Sequence, residues 1–238
     1  MLQEAILTVA GIVSGLLSGT VGFGGSMILL PAITSFYGIE VAVPMATVAQ
    51  LLSNIFRMGA GFSSIRWKQA GLFLILAAPF TIAGSYGFVV VPKEMMTRVL
   101  CVFLISFALL EIYDKIRLPR SRWTMIAGGG VSGVINGLLC LSGPVSSAVF
   151  LTLGLSPVAY IATEAASATV MHVIQLVMYG EFGLLGSQII TGGLYTGIAM
   201  ALGNYVAMKR IKSIKRKSYR KIVAAVMILA SVWLFLSV

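Results

Sequence analysis

The sequence predicts an all-α polytopic membrane protein built of two inverted repeats, each a broken or re-entrant helical hairpin followed by three transmembrane helices. Three observations predict this class: the composition, the number of long apolar runs, and an internal repeat that carries paired helix breaks. The 238 residues are 58% hydrophobic and only 10% charged, whereas a soluble domain has about 25% charged residues. So few charged side chains cannot cover a water-facing surface. We place the two repeats at residues 1–118 and 119–238.

Eight apolar runs are long enough to cross a bilayer, which takes about 20 residues. They cover residues 5–36, 39–60, 69–91, 95–113, 123–153, 157–180, 184–208 and 219–238. The first and fifth runs contain Gly and Pro clusters near their middle, around residues 19–26 and 140–144. Such clusters break a helix, and a broken backbone at membrane depth is tolerated only inside protein or beside a water-filled cavity.

The two halves also resemble one another in sequence. A G-x-V-S-G pattern at residues 11–15 recurs at residues 129–133. Further matches keep the same order: Ala46-Thr47 with Ala162-Thr163, Gly84-Ser85-Tyr86 with Gly203-Asn204-Tyr205, and Arg98 with Arg220. Chance identity between Gly-rich helices is the alternative explanation. Paired broken helices at matching positions of two halves are typical of a transporter binding site.

Basic residues set the predicted orientation. The connections around Arg66 and Lys68, at 115–122 and at 209–221 are positive, and the positive-inside rule places all three in the cytoplasm. The last two connections lie on the same side only if one of the three segments between them does not cross. The broken fifth segment is then a re-entrant hairpin, as is the first by symmetry, and both termini lie outside. The alternative is a kinked helix that crosses fully, which the length of each segment allows.

Together these features resemble the TauE/SafE sulfite exporter family, also called the 4-toluene sulfonate uptake permease family, over nearly the whole chain. The resemblance rests on Gly22-Phe23-Gly24-Gly25-Ser26 leading to Pro31, and on a second copy, Cys140-Leu141-Ser142-Gly143-Pro144. Ser26 replaces a common third glycine, and the second copy departs further, with Cys140 and Ser142 where glycine is usual. The resemblance implies export or uptake of a sulfur-containing anion, such as sulfite, sulfoacetate or another organosulfonate, across the inner membrane.

The helix breaks supply the first group of candidate substrate-binding residues. A half-helix that starts inside the membrane presents free amide N–H groups and the positive end of its dipole, and glycine lets an oxyanion approach those amides. The group comprises Gly22, Gly24, Gly25, Ser26, Ser142, Gly143 and Ser146. The alternative is that these glycines only permit close helix crossing.

Polar side chains in the second and sixth segments form the second group, because such residues are costly in a membrane. The group comprises Thr47, Gln50, Asn54, Arg57, Thr163, His172 and Gln175. Arg57 either pairs with the anion or anchors the helix at the inner interface, the interpretation that we favour. His172 either couples a proton to transport or is a buried neutral histidine bonded to a neighbour, which we favour. Glu164 is either functional or interfacial.

Other classes of function find little support in the sequence. The net charge of +10 lies mainly in short connections, which indicates contact with anionic lipid rather than nucleic acid. We find no nucleophile–base pair, metal-spaced cluster or phosphate loop, so we expect no enzyme activity, cofactor or metal. Cys101 and Cys140 are expected to be packing residues. We predict a gradient-driven secondary transporter that works by alternating access, with export favoured. The alternatives are an anion channel and a non-transporting scaffold, and a homo-oligomer is left open.

Overall fold

The apolar runs form helices close to the predicted positions. The computed structural model describes residues 2–23, 25–112 and 118–210. The helices are α1 Leu2–Val21, α2 Gly25–Ala60, α3 Trp67–Val90, α4 Lys93–Ile112, α5 Arg122–Leu139, α6 Gly143–Leu151, α7 Pro157–Glu181 and α8 Ser187–Arg210, with a 3-10 turn at Phe62–Ser64. The predicted segment at 219–238 and most of the basic stretch 209–221 lie outside the described residues.

Five of these helices, α1, α2, α3, α7 and α8, are long and apolar enough to cross a membrane. Large apolar side chains also lie on the outside of the bundle, for example Val131, Val177 and Ile198, each more than half exposed. An apolar exterior is what lipid requires. In the described part of the chain, the architecture is therefore that of an all-helical, multi-pass membrane protein.

Both predicted helix breaks are present. In the first run, α1 ends at Val21 and α2 starts at Gly25, and Gly22 adopts φ +87°, a conformation that favours glycine. The fifth run breaks at residues 140–142, between α5 and α6. A further kink at Gly38, with φ 74°, divides α2 into residues 25–37 and 39–60. This kink coincides with the predicted limit between the first and second segments.

Each broken run folds back on itself. Glu4, near the start of α1, and Tyr37, at the end of the first part of α2, line the same cavity at one end of the molecule. Arg122, at the start of α5, and Leu153, just after α6, line a cavity at the other end. The two ends of each helical pair are therefore close together, and each pair forms a hairpin with its break at the tip.

Each hairpin packs against a helix of the other half of the chain. In α1, Gly11, Gly15 and Gly19 lie against residues 196–199, 200 and 204–207 of α8 in turn. In α5, Gly129, Gly133 and Gly137 lie against residues 73, 77 and 81–85 of α3. In each pair the contacts advance along both helices together, so the two helices of the pair are parallel. The small residues allow the close backbone approach that membrane helices use for packing.

The second part of α2 and α7 cross at the centre in opposite directions. Near the end of α2, Gly61 lies against Val158 and Ala162 of α7, while Arg57 contacts Glu164 one turn further along. Residues 45–52 of α2 also face Gly192, Gly193 and Gly197 of α8 in parallel. These two central helices carry most of the predicted polar residues, so they position the candidate site.

Candidate functional site

Arg57 is the centre of a buried polar cluster that joins the tip of the first hairpin to α7. Its Nη1 donates to the carbonyl oxygens of Ser18 at 3.3 Å and Gly22 at 2.9 Å, and to Glu164 Oε2 at 3.2 Å. Its Nη2 donates to Asn54 Oδ1. The Arg57 side chain is 4% exposed and that of Glu164 1%. The guanidinium therefore satisfies carbonyl groups left open at the end of α1, which a broken helix must pair.

The second carboxylate oxygen of Glu164 joins the other hairpin to the same cluster. Ser146, on the second turn of α6, donates from its hydroxyl to Glu164 Oε1 at 2.9 Å. The Arg57–Glu164 pair thus links α1, α2, α6 and α7 through hydrogen bonds. A buried ion pair of this kind is costly to break by removal of one partner, about 3–5 kcal/mol, because the remaining charge stays buried.

Gln175 of α7 plays the corresponding part at the tip of the second hairpin. Its Nε2 donates to the carbonyl oxygens of Asn136 at 2.8 Å and Gly137 at 3.3 Å, near the end of α5. Its Oε1 accepts from Asn136 Nδ2 at 3.2 Å and lies 3.4 Å from His172 Nδ1. Tyr179 donates its hydroxyl to the Gly137 carbonyl at 3.0 Å.

The two clusters occupy matching places in the sequence repeat. Gln175 follows Arg57 by 118 positions, His172 follows Asn54 by 118, and Asn136 follows Ser18 by 118. In both clusters a residue of the long helix pairs with the side chain three positions before it and with the carbonyls at the end of the hairpin's first helix. The geometry is therefore repeated, while Gln175 carries no charge where the first cluster has the Arg57 guanidinium.

Unpaired polar atoms lie beside the start of α2. A Cβ built on Gly25 would lie 3.1 Å from Gln50 Nε2 and 3.3 Å from the Ser14 carbonyl oxygen, so both residues line this helix start. Gln50 Nε2 and Ser14 Oγ are buried, and neither has a hydrogen-bond partner in the described part of the chain. Gln50 is 4% exposed. A buried amide donor without an acceptor costs about 1–3 kcal/mol, which points to a polar group that binds there.

The start of α6 differs from that of α2, although the Ser147 hydroxyl of α6 is also buried without a partner among the described residues. Ser142 precedes Gly143, the first residue of α6, and its side chain makes no capping hydrogen bond. Its carbonyl accepts from Ser132 Oγ at 3.1 Å, whereas the matching Ser14 hydroxyl of the first half has no partner among the described residues. Ala168 stands where the first half has Gln50. The start of α2 therefore has an unpaired amide donor, from Gln50, that the start of α6 lacks in the described part of the chain.

Thr47 and Thr163 lie in the same interior and already have hydrogen-bond partners. The Thr47 hydroxyl donates to the Val43 carbonyl at 2.8 Å. The Thr163 hydroxyl donates to the Ala159 carbonyl at 2.6 Å and accepts from the Arg66 amide at 3.0 Å. Ser26 is buried. Gly24 lies outside the described residues.

The interfacial interpretations of two residues, Arg57 and Glu164, need correction. The interfacial anchor that we favoured for Arg57 is wrong, because its guanidinium is buried against Glu164 and two carbonyls rather than reaching water. Glu164, at 1% exposed, is not interfacial either. The glycines of α1 and α5 serve close packing, but they are not the candidate glycines at the helix breaks. His172 is buried with its Nδ1 3.4 Å from the side-chain carbonyl oxygen of Gln175, which agrees with the buried, bonded histidine that we favoured.

Five residues of these clusters were absent from the predicted set of substrate-binding residues. They are Ser14, Ser18, Asn136, Glu164 and Tyr179. The sequence repeat carried a signal for three of them, since Ser14 matches Ser132 and Ser18 matches Asn136. In the described residues no group of three or more His, Cys, Asp or Glu side chains could hold a metal ion. The polar groups of the site offer hydrogen bonding and charge to a ligand.

Broken helices around a buried polar interior, inside an apolar helical bundle, define a membrane transport protein as a class. A comparison with known protein families identifies the family of transport proteins. The sequence model of the sulfite exporter TauE/SafE family matches residues 7–234, so the chain belongs to this family. It is a family of membrane transporters, not of enzymes, whose name refers to a sulfur anion. No curated protein matches the chain.

Proposed function

We propose that this protein is a secondary transporter that exports a sulfur-containing anion, sulfite or an organosulfonate, across the inner membrane, and that the anion binds at the start of α2. The observation that carries the proposal is the buried, unpartnered Gln50 amide beside Gly25. The first amides of α2 and the positive end of its dipole face the same place. An oxyanion there would accept hydrogen bonds from Gln50, Ser14 and the backbone.

The directions of the helices support an inverted repeat. The first hairpin runs with α8 and the second with α3. The helix α3 in turn runs with α7, because Arg66 donates to Thr163 near the start of both helices and Tyr86 contacts Phe182 near their ends. The second part of α2, which is parallel to α8, opposes its equivalent α7. Among the described helices, equivalent elements of the two halves are then antiparallel, as an axis in the membrane plane requires.

The hairpins support a re-entrant arrangement. Both ends of the first hairpin are near Glu4 and Tyr37, and both ends of the second are near Arg122 and Leu153. Each hairpin would enter and leave on one side, with the second on the cytoplasmic, basic side. The anion site at the tip of the first hairpin would then be reached from either side by movement of one half against the other.

Arg57 and Glu164 give this movement a chemical basis. The Glu164 carboxylate is already an anion bound to Arg57 at 3.2 Å, and Gln50 lies two turns of helix away, about 10 Å along the axis. A transported anion at the start of α2 would also be attracted by the positive charge of Arg57. Weakening of the Arg57–Glu164 contact would then release Ser146 and the second hairpin from α7.

Export is favoured by the membrane potential. A negative cell interior lowers the free energy of an exported monoanion by about 2.3 kcal/mol per 100 mV. Export therefore needs no obligatory coupling ion, whereas uptake would need one.

Substitutions at Gln50 test the site. Gln50→Glu places a like charge beside the anion, and we expect sulfite binding to weaken by more than about 100-fold, since such a juxtaposition costs several kcal/mol. Gln50→Leu removes one donor to a charged group and is expected to weaken binding by about 10- to 100-fold. Sulfite-dependent thermal shift of the purified protein measures binding, and sulfite flux in proteoliposomes measures transport.

Gln3→Glu is the matched control, because Gln3 is an exposed glutamine in the first turn of α1. It is expected to keep wild-type binding. Wild-type sulfite binding in Gln50→Glu would contradict the site. Counterflow of labelled substrate distinguishes a carrier, which exchanges, from a channel, which does not, and a protein with neither binding nor flux would be a scaffold.

A further inference from the structure

A cavity of about 290 Å³ lies at the end of the molecule where α3 and α5 begin. Three basic side chains line it: Lys68 from the first half of the chain, and Arg120 and Arg122 from the second. We call it the basic cavity. No carboxylate belongs to its lining among the described residues. Its charge therefore predicts an anionic ligand.

The inner wall of the basic cavity is apolar. Leu72, Met125 and Leu153 line it together with the three cations. A small inorganic anion gains nothing from an apolar wall, whereas an amphiphile places its charged group at the basic rim and its chains along such a surface. The chemistry of the wall therefore favours an amphiphilic anion over a free one.

Two tryptophans place this cavity at the membrane surface. Trp67 starts α3 and is 54% exposed, and Trp123, in the first turn of α5, is 78% exposed. Phe62 packs edge-on against Trp67, with ring centroids 5.7 Å apart. Exposed tryptophan is enriched where a membrane protein meets the lipid headgroups. The basic residues flanking these rings thus lie at headgroup level.

The opposite end of the molecule provides an internal comparison. Its cavity of about 480 Å³ is lined by Glu4, Tyr37 and Tyr195 among others, and no Lys or Arg belongs to its described lining. The cavities at the two ends therefore differ in charge: the described lining is basic at one end and contains a carboxylate at the other. An anionic amphiphile would select the end with α3 and α5.

We propose that the basic cavity binds the headgroup of an anionic phospholipid, with its phosphodiester against Lys68, Arg120 and Arg122 and its acyl chains beside Leu72 and Met125. Clusters of Lys and Arg beside membrane helices recognise such lipids on the cytoplasmic side. The bound lipid bridges α3 of the first half and the second hairpin, so it stabilises the contact between the halves. This inference is independent of which anion is transported.

The test compares two lipids with the same acyl chains, phosphatidylglycerol and phosphatidylcholine, added to the purified full chain in a mild detergent. Melting temperature and native mass spectrometry report stabilisation and bound lipid. We expect phosphatidylglycerol to bind and to raise the melting temperature, and phosphatidylcholine to have little effect. In Lys68→Gln/Arg122→Gln, the affinity for phosphatidylglycerol falls by about 30-fold, since each basic residue near a headgroup contributes about 1 kcal/mol.

The matched control is Arg66→Gln/Lys209→Gln, which removes two exposed charges that do not line the basic cavity and is expected to retain the effect. The single variants Lys68→Gln and Arg122→Gln, each losing about fivefold, keep the test valid if the double variant does not fold. Equal loss in both double variants would overturn the proposal, because it would show a diffuse charge effect. Displacement of the lipid by millimolar glycerol 3-phosphate or sulfite would also overturn it, in favour of a free anion.

Discussion

Arg57 is one guanidinium with three tasks. It pairs with Glu164, holds Asn54, and occupies the carbonyls of Ser18 and Gly22 at the end of α1. Gln175 performs the last of these tasks in the second half without any charge. The protein therefore contains a neutral version of the same capping arrangement, so pairing the carbonyls at the tip of a hairpin does not by itself need a charge.

This comparison predicts the outcome of a double-mutant cycle. Arg57→Gln keeps a donor for the carbonyls but leaves Glu164 buried without its partner, and we expect a loss of about 3–5 kcal/mol in the free energy of unfolding. Arg57→Gln/Glu164→Gln removes both charges and is expected to recover most of that loss. Unfolding in mixed detergent micelles measures the four corners of the cycle. A double variant less stable than Arg57→Gln would show that the pair does not act as a unit.

The residue types of this site, but not its partnerships, were predictable from the sequence. Polar side chains at i, i+3 and i+7 placed Thr47, Gln50 and Asn54 on one helix face, and all three are buried. Arg57 and Glu164 are 107 positions apart, and nothing in the local pattern of either segment reports their distance. For this reason the sequence favoured an anchoring role for Arg57 that the pairing excludes.

At the scale of the helix, glycine stripes decide how close the elements come. A Cβ on Gly15 would lie 2.0 Å from the Met200 carbonyl oxygen of α8, and one on Gly133 would lie 2.4 Å from the Ala77 carbonyl oxygen of α3. A backbone oxygen cannot turn aside as a side chain can, so the helices would have to separate. The stripes therefore set the position of each hairpin against the other half of the chain.

Alanine at these glycines is expected to destabilise the protein. Gly15→Ala and Gly133→Ala overfill a close contact, which costs about 1–3 kcal/mol. Gly59→Ala is the matched control, because Gly59 lies within α2 with nothing within 4 Å of its Cβ position, and alanine there is neutral or stabilising by up to about 1 kcal/mol. Melting temperatures of the three variants compare the effects. No difference between Gly15→Ala and Gly59→Ala would refute the role of the stripe.

The breaks were predictable because Gly and Pro act locally. Both helix breaks fall within the Gly and Pro clusters of the sequence. The kink at Gly38 divides α2 into two parts where two apolar runs meet. The partner of each hairpin was not predictable, because the glycine spacing in α1 and α5 is the same and either stripe fits any small-residue face. Only the assembled bundle determines that α1 lies on α8 and α5 on α3.

At the scale of the whole molecule, the hairpins determine the topology. Ser156, between α6 and α7, and Glu181, at the end of α7, are exposed. With a re-entrant second hairpin, Ser156 faces the cytoplasm and Glu181 the outside. The native Cys101 and Cys140 are buried, so single added cysteines can be labelled selectively.

We expect a membrane-impermeant maleimide applied to intact cells to label Glu181→Cys and to spare Ser156→Cys. Inside-out vesicles are expected to give the reverse pattern, because the tip of the second hairpin does not reach through the bilayer. Labelling of Ser156→Cys in intact cells would mean that α5 and α6 together cross the membrane. Transport activity of both variants checks that the cysteines leave the fold intact.

Because each hairpin packs against a helix of the other half, the order of synthesis matters for folding. The glycine stripe of α1 is finished early in translation, but α8, the surface that it fits, begins only at Ser187. At 5–20 residues per second, the ribosome needs roughly 8 to 30 seconds to make the roughly 165 residues in between. Throughout that interval the glycine stripe of α1 lacks the helix that it packs against, so its bare backbone depends on the insertion machinery or on lipid until α8 emerges.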